Sequence, residues 1–568
     1  MTMNWHDRPM SRRGVLSLGA AAVTSLALAG CGDGAKSGSG AGGKHGALKL
    51  PAYKPAGHAE GAITSDNTFV PNAFESYPRP PFTSVPKTPA HGGQVTACVL
   101  DWGPPPPGKA KNVWAQQLDK RLGTTWNPTV IPAASYDTKV AAILASGEIP
   151  DVMWVQPDYQ QPVAQAVQQG AFVDLSEILA GDGIKDYPNL ATVPSYLWKR
   201  SSVEGAIYGI PRPLYLLNKV DVYRADWAAK LGYPDPPKNA DEVFELLTAF
   251  SHGKAAGKVK TWGIAAFDVR ITEFVGNMFR MPNQWRVNKD GSFEYYVETD
   301  EYEATLTYMR KLWKEGVFHP DALLFQTQSD KSADLFISGR TGFYRPPPAG
   351  WFPANSDLDE LTKNDPKARP ELLVTPGHDG GQPLNAQTNG WWGIGVISAE
   401  AGKDDKRLGE LLHVLDYWAA PFGSKEYTFL NYGVEGRHFN FDAKGDPVGV
   451  DNEKLTNEMA ANYFINPSES VIYYPGTKGR ARMVHDYYEK QLAHSAADPS
   501  LGLLSETKLK KVTALTSLNT SYENDIVSGR KPLSALKEWR QRWRSGGGDK
   551  MRKEYEDSYQ RSKGDGGK

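Results

Sequence analysis

From Gly93 onward the sequence predicts an α/β fold, a parallel sheet covered by helices. Three observations predict it: short apolar runs with strand character, helical 3.6-residue periodicity between them, and their strict alternation. Residues 94–101, Gln-Val-Thr-Ala-Cys-Val-Leu-Asp, read as a strand. Residues 112–122 carry Trp114, Leu118 and Leu122 at i, i+4 and i+8 and read as a helix. Residues 129–131 are short and extended, 138–145 helical, and 151–155 a buried strand. A βαβαβ order implies parallel strands with right-handed crossovers. Ligands on such sheets gather at the carboxyl ends of strands, so Asp101-Trp102-Gly103 and Met153-Trp154-Val155 become candidate cleft walls.

Composition agrees with folded lobes. The 568 residues are 40% hydrophobic and 23% charged, with 16 Trp, too apolar for a disordered chain. At about 100–200 residues per domain, this length suggests two or more lobes. A net charge of −1 gives no general attraction to nucleic acid or to an anionic membrane. Two cysteines, Cys31 and Cys98, exclude a disulfide framework and the clustered ligands of a structural zinc site. Cys98 sits in a strand pattern and reads as core packing.

The first thirty residues read as an address. Arg12 and Arg13 precede the uncharged Ala- and Gly-rich run 14–30, a signal-peptide pattern that is short and weakly apolar for a membrane span. Leu28-Ala29-Gly30-Cys31 resembles a lipobox, which makes Cys31 the expected acylated N-terminus of an exported protein. Ser11-Arg12-Arg13 also resembles a twin-arginine signal, except that Val15 stands where Phe is usual, so the export route stays open. The Gly- and Ser-rich stretch 32–46 and the Pro-rich stretch 47–91 are expected to form a flexible tether. Gly38 to Lys44 has the spacing of a phosphate loop, but His45 replaces the required Ser or Thr and no strand precedes it.

Further helices carry their own start signals. Asn239 with Glu242 forms a capping box before Val243, Leu246, Leu247 and Phe250, and Asp300 with Glu303 is expected to repeat it before Leu306, Met309, Leu312 and Trp313. Asn288-Lys-Asp290-Gly291 reads as a hairpin turn, since a calcium loop needs more oxygen ligands and a Glu at its twelfth position. Residues 506–526 and 534–541 close the chain as amphipathic helices.

The order of local motifs carries a resemblance. Ala145-Ser-Gly-Glu-Ile-Pro-Asp-Val152, Gly170-Ala-Phe-Val-Asp-Leu175 and Val203-Glu-Gly-Ala-Ile-Tyr-Gly-Ile-Pro211 follow one another, then Tyr223-Arg-Ala-Asp-Trp227 and Leu430-Asn-Tyr-Gly-Val-Glu-Gly-Arg-His-Phe439. Together they resemble extracellular solute-binding protein family 1 of bacterial ABC importers, in its alginate- and oligosaccharide-binding branch. The resemblance implies a two-lobe periplasmic-binding-protein-like fold of type II, each lobe a mixed sheet flanked by helices, with hinge crossings between them. It implies one lobe from residues 93–212 and 352–428, and the other from 213–351 and 429–568. It further implies a monomer that is lipid-anchored to the outer face of the cytoplasmic membrane, binds without covalent chemistry or cofactor, and delivers its ligand to permease subunits.

A sugar ligand suits the residues. Sugar rings offer a weakly polar C–H face and a hydroxyl rim, which call for flat aromatics and charged or amide groups. Trp102, Trp154, Trp351, Trp391 and Trp392 fall at predicted strand ends or hinges, beside Asp101, Asp158, Arg212, Arg345 and Glu435. Tyr344 precedes Arg345 at the end of a predicted strand, and Tyr432 shares the 430–439 motif with Glu435, where a structural turn is the competing explanation. Core packing competes at each single Trp; Trp114, Trp313 and Trp418 are assigned to it outright. Arg212 and Arg345 together permit an acidic sugar without requiring one. Two rivals stand against a carbohydrate importer component: an exported glycoside hydrolase, which needs two carboxylates about 5–9.5 Å apart, and a peptide-binding importer component. No Gly-x-Ser-x-Gly elbow or metal-ligand spacing of the eleven His favours other hydrolytic chemistry.

Overall fold

A computed structural model describes residues 48–56, 61–101, 103–156, 161–203, 205–450, 452–459 and 470–564. The leader, Cys31, Trp102 and Asp158 lie outside the described residues. Two sheets organise the chain, and their strands in chain order are β1 (Gln94–Asp101), β2 (Thr125–Pro132), β3 (Val152–Val155), β4 (Gly209–Pro213), β5 (Val222–Arg224), β6 (Trp262–Ile264), β7 (Thr341–Tyr344), β8 (Pro370–Leu372) and β9 (Trp391–Ile397). The first sheet has the order β2-β1-β3-β9-β4, and the second β8-β5-β7-β6.

In the first sheet β1 pairs in parallel with β2 and β3, as the βαβαβ pattern predicts, while β9 returns antiparallel between β3 and β4. The first connection is α1 (Val113–Leu122), started by Asn112, whose side chain accepts from Ala115 N at 2.9 Å. Its Trp114, Leu118 and Leu122 are buried against the sheet, as the spacing predicts. The second connection is α2 (Tyr136–Ser146), which buries Tyr136 and Val140. Cys98 is 1% exposed in this core.

The second sheet is mixed, with β7 parallel to β6 and antiparallel to β5. The helices α3 (Ala240–His252), α4 (Val269–Met278) and α5 (Asp300–Lys314) pack around it. Asn239 and Glu242 form the predicted capping box on α3. On α5 the cap is Thr299, whose hydroxyl accepts from Tyr302 N, so the expected capping residue moves back by one from Asp300. Asn288 to Gly291 is the turn of a hairpin between Trp285–Val287 and Phe293–Tyr295.

The chain crosses between the sheets at 214–221 and again before β9, and the two crossings pair: Leu214 N donates to Gly390 O and Thr388 N to Leu216 O, each at 2.8 Å. A third link pairs Asn385–Ala386 with Ser495–Ala496. Beside it runs α6 (Arg480–Leu492), and α7 (Glu506–Val527) then joins the second core.

Two expectations about organisation are corrected. The stretch 47–91 is no free tether along its described length. Ala73–Phe74 pairs in parallel with Ile472–Tyr473, and Phe74, Tyr77 and Ala90 are buried in the first core. The lobe boundaries also shift. Strand β8 hydrogen-bonds to β5, and Trp351, Phe352 and Leu361 pack with Tyr344, so the return to the first lobe comes near 385–391 and not at 352. Phe429, Tyr432, Phe439 and Leu455 belong to the first core, so the final passage to the second lobe comes well after 429. No helix among the described residues is long and apolar enough to cross a membrane.

Candidate solute site

The carboxyl ends of both sheets converge on the hinge. Strand β4 ends at Pro213, the chain crosses at 214–221, and β5 begins at Val222, directly opposite Tyr344 at the end of β7. On the first-lobe side Ile394 of β9 pairs with Val155 of β3, so Trp391, Trp392 and Gly393 overhang the end of β3. The β9–β4 register breaks between Trp391 and Ile394, and such a bulge re-aims side chains. Trp391 turns inward, 1% exposed, with Nε1 donating to the Arg200 carbonyl at 3.2 Å. Trp392 stays half-buried.

Trp392 is held from two directions. Its ring centroid lies 4.5 Å from that of Trp154, tilted by 41°, and the Arg212 guanidinium carbon sits 5.0 Å from its centre. Gln156 Nε2 donates to the Trp392 carbonyl at 3.2 Å. Trp154 is itself fixed: Tyr136 meets it edge-on at 5.5 Å and donates its hydroxyl to the Trp154 carbonyl at 2.6 Å. Gly393, at φ +143°, admits this arrangement, because a Cβ there would stand 2.4 Å from the Trp154 indole. Trp154 is 2% exposed, so Trp392 is the ring of this pair with surface to offer a ligand.

The second-lobe side is built of ion pairs. Arg345 follows β7 and donates Nε to Asp221 at 2.5 Å, one terminal nitrogen to Glu273 at 3.0 Å, and the other to the Arg270 carbonyl at 2.5 Å. Burial works against its charge, but Asp221 and Glu273 outweigh that and hold the guanidinium more firmly protonated than usual. Asp221 also accepts from the Thr375 hydroxyl at 2.9 Å. Asp268 caps α4 by accepting from Arg270 N at 2.9 Å and binds the Arg270 side chain through Nε at 2.8 Å. Val269, the first residue of α4, is 76% exposed beside this pair. Tyr344 donates its hydroxyl to Asp357 at 3.1 Å, and burial pushes the Asp357 carboxyl up to about 6 against that hydrogen bond.

Residues 114–412, more than half of the chain, match the model of a family described as bacterial extracellular solute-binding protein. The chain belongs to this family. Among its relatives, the polygalacturonan/rhamnogalacturonan-binding protein YtcQ of Bacillus subtilis (strain 168) is 25% identical over 465 residues, covering 79% of this chain and 88% of the relative. Lipoprotein LipO of the same organism is 26% identical over 462 residues, covering 78% and 88%. Solved structures of similar fold include the Streptococcus pneumoniae substrate-binding protein FusA in complex with kestose, with a TM-score of 0.59 at 17% identity over 83% of this chain and 99% of that one. The alginate-binding protein AlgQ2 without calcium ion also has a TM-score of 0.59, at 16% identity over 84% and 99%. These likenesses establish the two-lobe periplasmic-binding-protein-like architecture.

Within this solute-binding protein the predicted site residues separate into groups. Trp154, Arg212 and Trp392 meet at the first-lobe end, and Tyr344 and Arg345 stand at the second-lobe end. Trp351 packs against Phe336 and Tyr344 and is core. Trp391 is core as described. Tyr432 is 3% exposed among Tyr77, Tyr427 and Phe439. Glu435 is exposed on the turn beyond it, where Gly433, at φ +85°, lets His438 approach to within 2.7 Å of a would-be Cβ. That motif is a structural turn, braced by His438 Nδ1 accepting from Val434 N at 2.9 Å. Of the assigned core tryptophans, Trp114 and Trp418 are buried, and Trp313 is half-buried against the second core.

Sequence reasoning did not single out Gln156, Asp221, Asp268, Arg270 or Glu273. Asp268 carried a readable signal, an Asp before the apolar-periodic run of α4. Asp221 and Glu273 carried none, because their role depends on Arg345, 124 and 72 residues away. Chemically the site offers a half-buried aromatic surface, an amide, and carboxylate–guanidinium pairs able to exchange hydrogen bonds with hydroxyls.

Proposed function

We propose that this solute-binding protein captures a carbohydrate between its two lobes, as the binding component of an ABC importer tethered through Cys31. The observation that carries the reading is Trp392, half-buried on Trp154 and Arg212 at the carboxyl end of the first sheet. Stacking a sugar face there removes apolar surface from water, while the opposite lobe's paired charges suit a hydroxyl rim. A ligand bridging both lobes stabilises the closed form by its differential affinity for it, and a permease would read that closed shape. The polygalacturonan, kestose and alginate bound by YtcQ, FusA and AlgQ2 support a carbohydrate over a peptide.

Asp221, Glu273 and Asp268 are each held by an arginine of this chain, so internal ion pairs already occupy them. Arg345 and Arg270 are likewise engaged by carboxylates of this chain. A uronate binding at Arg345 or Arg270 would therefore have to displace an internal pair.

The test is thermal unfolding of the mature protein against neutral oligosaccharides, uronate oligomers and short peptides, with product analysis of each mixture. A ligand at a hundred times its Kd stabilises the folded state by about 2.7 kcal/mol. A shift with an intact sugar is expected. Cleavage of the sugar, or a shift with peptides alone, would overturn the reading.

A further inference from the structure

Away from the cleft, α6 carries a second constellation. His485 and Glu489 lie four residues apart, on one face of the helix, and Asp486 adjoins them; one ligand atom of each lies within 4.8 Å of the others. His485 is 2% exposed, and neither ring nitrogen has a hydrogen-bond partner among the described residues. An Asp486 carboxylate oxygen lies 3.7 Å from Nδ1. A buried imidazole left in this way costs stability, of a kind native proteins rarely leave uncompensated.

The surroundings fit a cation. Ser65 donates its hydroxyl to Glu489 Oε1 at 3.0 Å, which orients that carboxylate. Arg482 and Lys490, four residues either side of Asp486, line the same groove and form no ion pair among the described residues; their charge opposes a cation, and the three ligands together have to overcome it. We propose that His485, Asp486 and Glu489 bind a divalent first-row metal ion such as zinc. One imidazole and two carboxylates suit zinc or manganese and not a soft thiolate-seeking ion, and water would complete the shell. Ligands about 2.0–2.2 Å from a zinc ion require the exposed Asp486 and Glu489 side chains to rotate inward slightly from their present spacing. The ion would clamp the segment around Ser65 to α6, whose Tyr487 and Gln491 reach the hinge residues Asp221, Thr375 and Asn385.

The test uses the full chain stripped of metal by a chelator, titrated with Co2+ by visible absorption and calorimetry and with Zn2+ by melting temperature. The expected result is one Co2+ per chain with a ligand-field band, and a Zn2+-dependent rise in Tm. The surface changes Asp486→Asn and Glu489→Gln together should weaken binding roughly 100-fold, and Ser65→Ala about 10-fold. His485→Phe should abolish the band. Binding absent from the wild-type chain, or unchanged in the Asp486→Asn/Glu489→Gln variant, would overturn the assignment. Neither outcome bears on sugar binding, which is read with the metal-free protein.

Discussion

The two lobes meet the cleft with different chemistry. The first presents stacked rings, with Trp392 half-open over a buried Trp154, and the second presents arginines already bound to carboxylates. Ring stacking leaves apolar surface for a ligand to cover, whereas an internal ion pair gives up little when a ligand arrives. On the proposed reading the first lobe is the source of affinity and the second a rigid polar counter-face, with Arg345 a positioning residue at the hinge.

The sharpest way to break this contrast is at Arg345. Arg345→Met leaves Asp221, 1% exposed, without its cation, and should cost about 3–5 kcal/mol of stability in urea unfolding. Changing Asp221 to Asn as well should recover much of the loss. Lost sugar affinity with unchanged stability would make Arg345 a ligand residue instead.

Gly393 tests the opposite lobe. Gly393→Ala drives a methyl into the Trp154 indole and should destabilise by about 1–3 kcal/mol, with a changed near-UV dichroism of the Trp pair. An unchanged spectrum would mean that the rings do not depend on this close approach.

The smallest effect comes from Asp357. Its folded carboxyl, pushed up to about 6, lies above its unfolded value near 3.9. The folded state thus holds the proton more tightly between these values, and stability falls as pH rises from about 4 to 6. Asp357→Asn should flatten that slope and gain on the order of 1 kcal/mol at pH 7 relative to wild type. A slope identical in both proteins would show that Tyr344 keeps this carboxyl ionised.

Much of the fold was legible because it is local. The periodicity of Trp114, Leu118 and Leu122 and the Asn239–Glu242 box both stand where the pattern puts them. The packing of the Pro-rich stretch was not legible, since Ala73 finds its strand partner at Ile472. At the site, Trp154, Trp392 and Arg212 were readable as aromatics and a cation at strand ends. Their separation from Trp391 was not, because a bulge sends adjacent tryptophans to opposite environments. Tyr432 and Trp351 carried the same residue-type signal as true surface aromatics and went to the core.

The most direct measurement is calorimetric titration of wild type and Trp392→Ala with the oligosaccharide that gives the largest thermal shift. If Trp392 is the stacking surface, its loss removes about 1.5–3 kcal/mol of binding, roughly a 10- to 150-fold rise in Kd, while the Tm of the free protein stays close to wild type. Equal affinity in the two proteins would contradict the account and place the ligand elsewhere.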